Sequence, residues 1–186
     1  MAAAACAAAL AACTQEPGTP PGQGLAAFRI PGINLTVGSD PVATSLASVS
    51  SNLADPSRLA GRPALAAQVV AQYEFVTEAL REPRFVGMNP LAQMGMVRGR
   101  GPLRDTVGIA RNASPSQAMD RMTALAGALG RGDLAAAEQI AGAAPFVRPA
   151  GEVIATLSAM PFVPDAARAA SFADQQMNRA APMGVD

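Results

Sequence analysis

Histidine and lysine are both missing from this chain of 186 residues, so all 14 basic residues are arginine. Without histidine no side chain ordinarily titrates near neutrality, and the commonest metal ligand is lost. Ser–His and Cys–His nucleophilic catalysis is excluded, and so are zinc sites of the Cys₂His₂ type. Without lysine no Schiff base can form. Tryptophan is absent, and the aromatics amount to 4%, one Tyr and six Phe. Only two cysteines occur, Cys6 and Cys13, both near the N-terminus. No Asp/Glu cluster has EF-hand spacing. No glycine-rich phosphate loop is present, because Gly95-Met96-Val97-Arg98-Gly99 lacks the required lysine. The charge balance, 14 against 14, gives no global field to recruit nucleic acid. These absences argue against an enzyme and call for no metal and no cofactor.

Half of the chain is hydrophobic, and much of that is alanine. Alanine loses no side-chain entropy in a helix, so the composition favours closely packed helices. A recurrent start signal supports this. Ser39-Asp40-Pro41, Asp55-Pro56, Asn89-Pro90 and Ser114-Pro115 each place a capping side chain directly before proline. The cap satisfies a free N–H, and proline at the first helical position has none to satisfy. Pro164-Asp165 starts a last helix less cleanly. Apolar residues then recur at helical intervals. The stripes are Val42/Leu46/Val49/Leu53, Leu65/Val69/Tyr73 or Val76/Leu80, and Met119/Met122/Leu125 or Ala126/Leu129. Shorter ones are Leu134/Ala137/Ile140, Val153/Ile154/Leu157 and Ala166/Ala169/Ala173/Met177. Glycines between residues 83 and 113 predict a helix from Pro90 to about Val97, a break at Gly99–Pro102, and a second helix over Leu103–Arg111. The expected fold is mainly α, a compact antiparallel bundle of about five to six short helices. A Pro/Gly linker and a short extended segment, Phe28–Val37, precede it.

The N-terminus reads AAAACAAALAA over residues 2–12, an uncharged apolar run too short to span a bilayer. Its length and small residues suit the hydrophobic region of a signal peptide. The run ends in Leu10-Ala11-Ala12-Cys13, which resembles the lipobox of bacterial lipoproteins. The resemblance implies cleavage before Cys13 and lipidation of its thiol and new amino group. Residues 14–24, TQEPGTPPGQG, are too rich in Pro and Gly for helix or sheet and read as a tether. By the same resemblance, Thr14 in place of Asp after the cysteine favours the outer over the inner membrane. The expected organisation is a signal peptide over residues 1–12, lipidated Cys13 and linker over 13–27, and one helical domain over 28–186.

Three side-chain groups carry candidate chemistry. Glu74, Glu78 and Glu82 recur every four residues, the pattern of a solvated helix face more than of paired catalytic carboxylates. Among the nine methionines, Met88/Met94/Met96 and Met119/Met122 have soft donors suited to Cu(I), although methionine more often fills irregular core gaps. Arg98, Arg100, Arg104 and Arg111 surround the glycine-rich stretch and form the best candidate ligand-binding surface, for a phosphate, sulfate or carboxylate. The chain therefore reads as a lipid-anchored, non-enzymatic interaction or structural module of the cell envelope, on the periplasmic face. Its partners would be the membrane, through the anchor, and other envelope proteins, with no nucleic acid. The alternative is a periplasmic small-ligand or anion binder using residues 98–111.

Overall fold

Proline opens five of the seven helices among the described residues, and each time it follows from the missing N–H. The structure, a computed structural model, describes residues 40–180. Along it run α1 (Pro41–Ala54), α2 (Pro63–Ala79), α3 (Pro90–Val107), α4 (Pro115–Gly130), α5 (Leu134–Ala141), α6 (Ala150–Ser158) and α7 (Pro164–Ala180). Short 3₁₀ turns occupy Pro56–Arg58 and Pro83–Phe85. Asp40, Asn89 and Ser114 cap α1, α3 and α4 with their side chains, and Ser114 forms a reciprocal capping box with Gln117. Asp55-Pro56 starts only a 3₁₀ turn. Helix α2 begins at Pro63 behind Arg62, which supplies no side-chain cap.

Helix α2 is the centre of the bundle. It packs against α1, α3, α4 and α6, and its residues from Ala66 to Ala79 are buried nearly all round. Short side chains make this possible: Ala66, Ala67, Val70, Ala71 and Ala79 let neighbouring helices approach on every side. Its broadest contact is with α4, while α7 closes the other flank over α1 and α3. Helices α5 and α6 continue from α4, each packed on its predecessor. An antiparallel bridge, Ile109 with Phe146, ties the α3–α4 connection to the α5–α6 connection. There Val147 N–H donates to the Gly108 carbonyl (2.8 Å) and Ala110 N–H to that of Pro145 (2.9 Å).

The bundle is mainly helical, as expected, with seven helices among the described residues against the expected about five to six. Helix α3 runs unbroken through Gly99–Pro102, which corrects the expected break there. Proline inside a helix is least disruptive when its predecessor has no Cβ to meet the ring, and Gly101 is that predecessor. Of the Leu134/Ala137/Ile140 stripe, Ala137 is buried and Ile140 packs against the core, but Leu134 is 63% exposed and Ala141 is buried in its place. Cys13, the linker and the extended segment Phe28–Val37 lie outside the described residues.

Candidate functional site

Arg100 and Arg104 of the arginine-rich stretch meet Glu74 and Glu78 of the glutamate series, 22 to 30 residues apart in sequence, at the contact of α2 with α3. Glu74 is fully buried, which corrects its reading as part of a solvated face. Its two oxygens are gripped bidentately by Arg104, Nε to Oε1 at 2.6 Å and Nη2 to Oε2 at 2.8 Å. Parallel N–H···O bonds of this kind are among the strongest neutralising contacts a carboxylate makes. Arg104, itself 3% exposed, also donates from Nη1 to the carbonyls of Arg111 (3.1 Å) and Ala113 (2.8 Å). One guanidinium thus joins the central helix, α3, and the segment leading into α4.

Arg100 lies one turn before Arg104. Its Nε forms an ion pair with Glu74 Oε2 at 3.2 Å, without hydrogen-bond geometry, and its Nη2 reaches Glu78 Oε1 at 2.5 Å. The second oxygen of Glu78 takes Arg81 at 3.2 Å. Glu82 pairs with Arg84, whose guanidinium also reaches Asp40 and stacks 4.4 Å from the ring centroid of Phe85. The three glutamates therefore serve as counter-ions, each to a different arginine set.

Next to this network, the Tyr73 hydroxyl donates to the Met96 carbonyl at 3.0 Å. Burial pushes its phenol well above the ordinary value of 10.0; Arg100 opposes the rise, while Glu74 and Asp165 add to it. The hydroxyl thus remains a donor. Gly99 makes room for it. A Cβ there would collide with Tyr73 Oη and stand 3.0 Å from Ala166 Cα and 3.1 Å from the Asp165 carbonyl. On the far side of α2, Gln72 is fully buried, and neither amide atom has a hydrogen-bond partner.

The four arginines expected to share one surface are separated. Arg104 and Arg100 are committed to glutamates. Arg111 is exposed and held bidentately by Asp105, whose carboxyl lies below its usual value chiefly because of that bond. A depression of about 430 Å³ beside Arg111 also includes Arg148. That guanidinium is engaged too, donating to the carbonyls of Asp105 (2.6 Å) and Thr106 (3.2 Å) at the end of α3. Its stem lies against Gly108, whose φ of 80° suits glycine at a helix C-terminus. Arg98 alone of the four forms no ion pair among the described residues; it lines a depression of about 410 Å³ with Arg81, Gln93, Met94 and Val97.

The methionines are dispersed likewise: Met96, Met119 and Met122 are buried in the core, whereas Met94 is 56% exposed. No group of three or more potential Cys, Asp or Glu metal ligands occurs among the described residues. What the sequence left hidden is the Glu74–Arg104 pair. The i, i+4 glutamate series and the i, i+4 pair Arg100/Arg104 were a signal for two facing helix stripes of opposite charge. Comparison with known protein families, curated proteins and solved structures yields no match for this chain.

Proposed function

We propose that the protein is a lipid-anchored, non-enzymatic interaction or structural module on the periplasmic face of a bacterial envelope, at the outer membrane in preference to the inner. The observation that carries this reading is the quartet Leu10-Ala11-Ala12-Cys13 followed by the Pro/Gly-rich residues 14–24. Acyl chains on one cysteine are enough to hold a domain at a bilayer when two or more are present. No helix among the described residues is long and apolar enough to cross a membrane, so on this reading attachment falls to the anchor. The helical domain would act by contact with other envelope proteins. Its buried charges support such a role: they brace α2 against α3 and present no pair of free carboxyls to a cleft. The anion-binding alternative loses support from the same geometry, since Arg100, Arg104 and Arg111 already have carboxylate partners.

Intact mass of the detergent-extracted protein tests this. The expected product lacks residues 1–12 and carries added acyl mass on Cys13, and Cys13→Ala leaves the chain unprocessed. Recovery of the whole, unmodified chain from the soluble fraction would refute the anchored reading.

A further inference from the structure

The outer side of α3 is apolar although its inner side already supplies the core. Leu91, Met94 and Val97 are 65%, 56% and 50% exposed. Three-residue steps keep them within an arc of about 120° on a helix of 3.6 residues per turn. Helix α3 turns Met96 and Leu103 inward, toward α2 and α7, so this is a second stripe with no core to fill. Val86, 87% exposed, is held nearby, because Gln93 Nε2 on α3 donates to the carbonyl of Phe85 at 3.1 Å. Arg81 and Arg98 border the depression that Met94 and Val97 line.

The charge around this face is positive, although the whole chain is neutral. Among Glu74, Glu78, Arg81, Arg98, Arg100 and Arg104, two carboxylates meet four guanidiniums. Including the adjoining Asp40, Glu82 and Arg84 still leaves one positive charge in excess. Glu74, Arg104, Arg100 and Glu78 are the covered members, their side chains 0%, 4%, 15% and 21% exposed, and they balance one another, so the charge left facing outward is that of Arg81, 66% exposed, and Arg98. Apolar side chains bordered by outward guanidiniums match the boundary of an anionic bilayer, where the former enter among acyl chains and the latter reach up to phosphate.

The described chain also begins at this edge. Asp40 is bonded to Arg84, which stacks on Phe85 beside Val86. The residues from Cys13 to Asp40 can reach no further than roughly 95 Å at full extension. An anchored bilayer therefore lies within that reach of this edge, and a tethered face needs little intrinsic affinity because attachment raises its effective concentration.

We infer that the outer face of α3, with Leu91, Met94 and Val97 flanked by Val86, Arg81 and Arg98, docks on the anionic headgroup surface of the bilayer. The inference rests on the anchored reading for its choice of a bilayer over an acidic peptide. The anchor retains the domain, and this face sets how the domain lies.

The test uses the full chain carrying Cys13→Ser, which cannot be acylated, sedimented with vesicles rich in phosphatidylglycerol or made of phosphatidylcholine alone. Binding to the anionic vesicles is expected, weakening with salt, and falling about fivefold in Arg98→Gln, as one basic residue near such a surface contributes. Met94→Asp with Val97→Asp should reduce it at least as far while the helical circular dichroism is kept. The apolar N-terminal run is present in every chain, so only these differences count. Equal binding by wild type and the folded variants would overturn the inference. So would binding of an acidic peptide with the anionic vesicles left untouched. The vesicle assay needs no lipid on Cys13. Its failure therefore leaves the mass result standing, and an unmodified Cys13 with α3-dependent vesicle binding would strike the anchor while upholding the face.

Discussion

Four of the five N–H donors that a guanidinium carries are engaged in Arg104, two on Glu74 and two on backbone carbonyls. Stripping two ions of water is costly, and their attraction offsets that cost only when geometry and further hydrogen bonds are good. Here both conditions hold, so the damage comes from removing one partner alone. Arg104→Met is expected to destabilise the fold by about 3–5 kcal/mol, because buried Glu74 loses its bidentate partner and is left only the 3.2 Å ion pair with Arg100. The double variant Glu74→Met/Arg104→Met should recover part of that loss. Urea unfolding of the two single variants and the double measures it; additive effects would show that the pair is not coupled. Glutamate is rarely buried unless paired, so its i+4 rhythm suggested a wet face. Its partner stands 30 residues further along, and nothing local to Glu74 announces it.

Helix α3 shows how a glycine pattern can have two meanings. Gly95 and Gly99, four residues apart, look like interruptions in a linear reading. In the bundle they are the flat strip on which α7 lies: a Cβ at 95 would meet Ala169 Cβ at an ordinary 3.6 Å, whereas one at 99 has no room. The two meanings predict opposite signs. If Gly99 merely weakened the helix, Gly99→Ala would stabilise by up to about 1 kcal/mol through propensity. We expect destabilisation by about 2–3 kcal/mol instead, as overpacking against unyielding backbone costs. Thermal unfolding decides, and Tyr73→Phe in the Gly99→Ala background should restore part of the loss by removing one of the three obstacles. The helix starts were readable because a cap and a proline act within one turn. The continuity of α3 was not, because packing on α2 and α7 supports a helix that Gly101-Pro102 would weaken in isolation.

For the molecule as a whole, the absence of histidine and lysine implies a flat pH response over the middle range. Asp55 and Asp105 sit below their ordinary 3.8, Asp55 through hydrogen bonds from the Ser57 side chain and backbone and Asp105 through Arg111. A depressed carboxyl contributes stability above its unfolded pKa and loses it as the pH falls through the folded value. Both groups are exposed, so this acid-side loss should be shallow. Tyr73 behaves oppositely: its raised pKa favours the neutral phenol of the fold, a contribution complete below pH 10.0 and lost as the pH climbs beyond it. The urea midpoint should therefore stay level from about pH 5 to 9, falling gently on the acid side and more clearly on the alkaline side. A step near neutrality would contradict this account.

Composition settled the helical class, since a chain rich in alanine with few aromatics builds cores from thin, closely spaced helices. Short-range grammar settled most helix starts, because capping acts between neighbours in the chain. The order of packing lay beyond such signals. That α2 is central, that Glu74 is enclosed, that Gly99 is a contact point, and that Arg98 alone among its four arginines has no counter-ion among the described residues depend on residues distant in sequence. Burial and pairing belong to surfaces formed only when the helices meet, so only the assembled bundle could assign them.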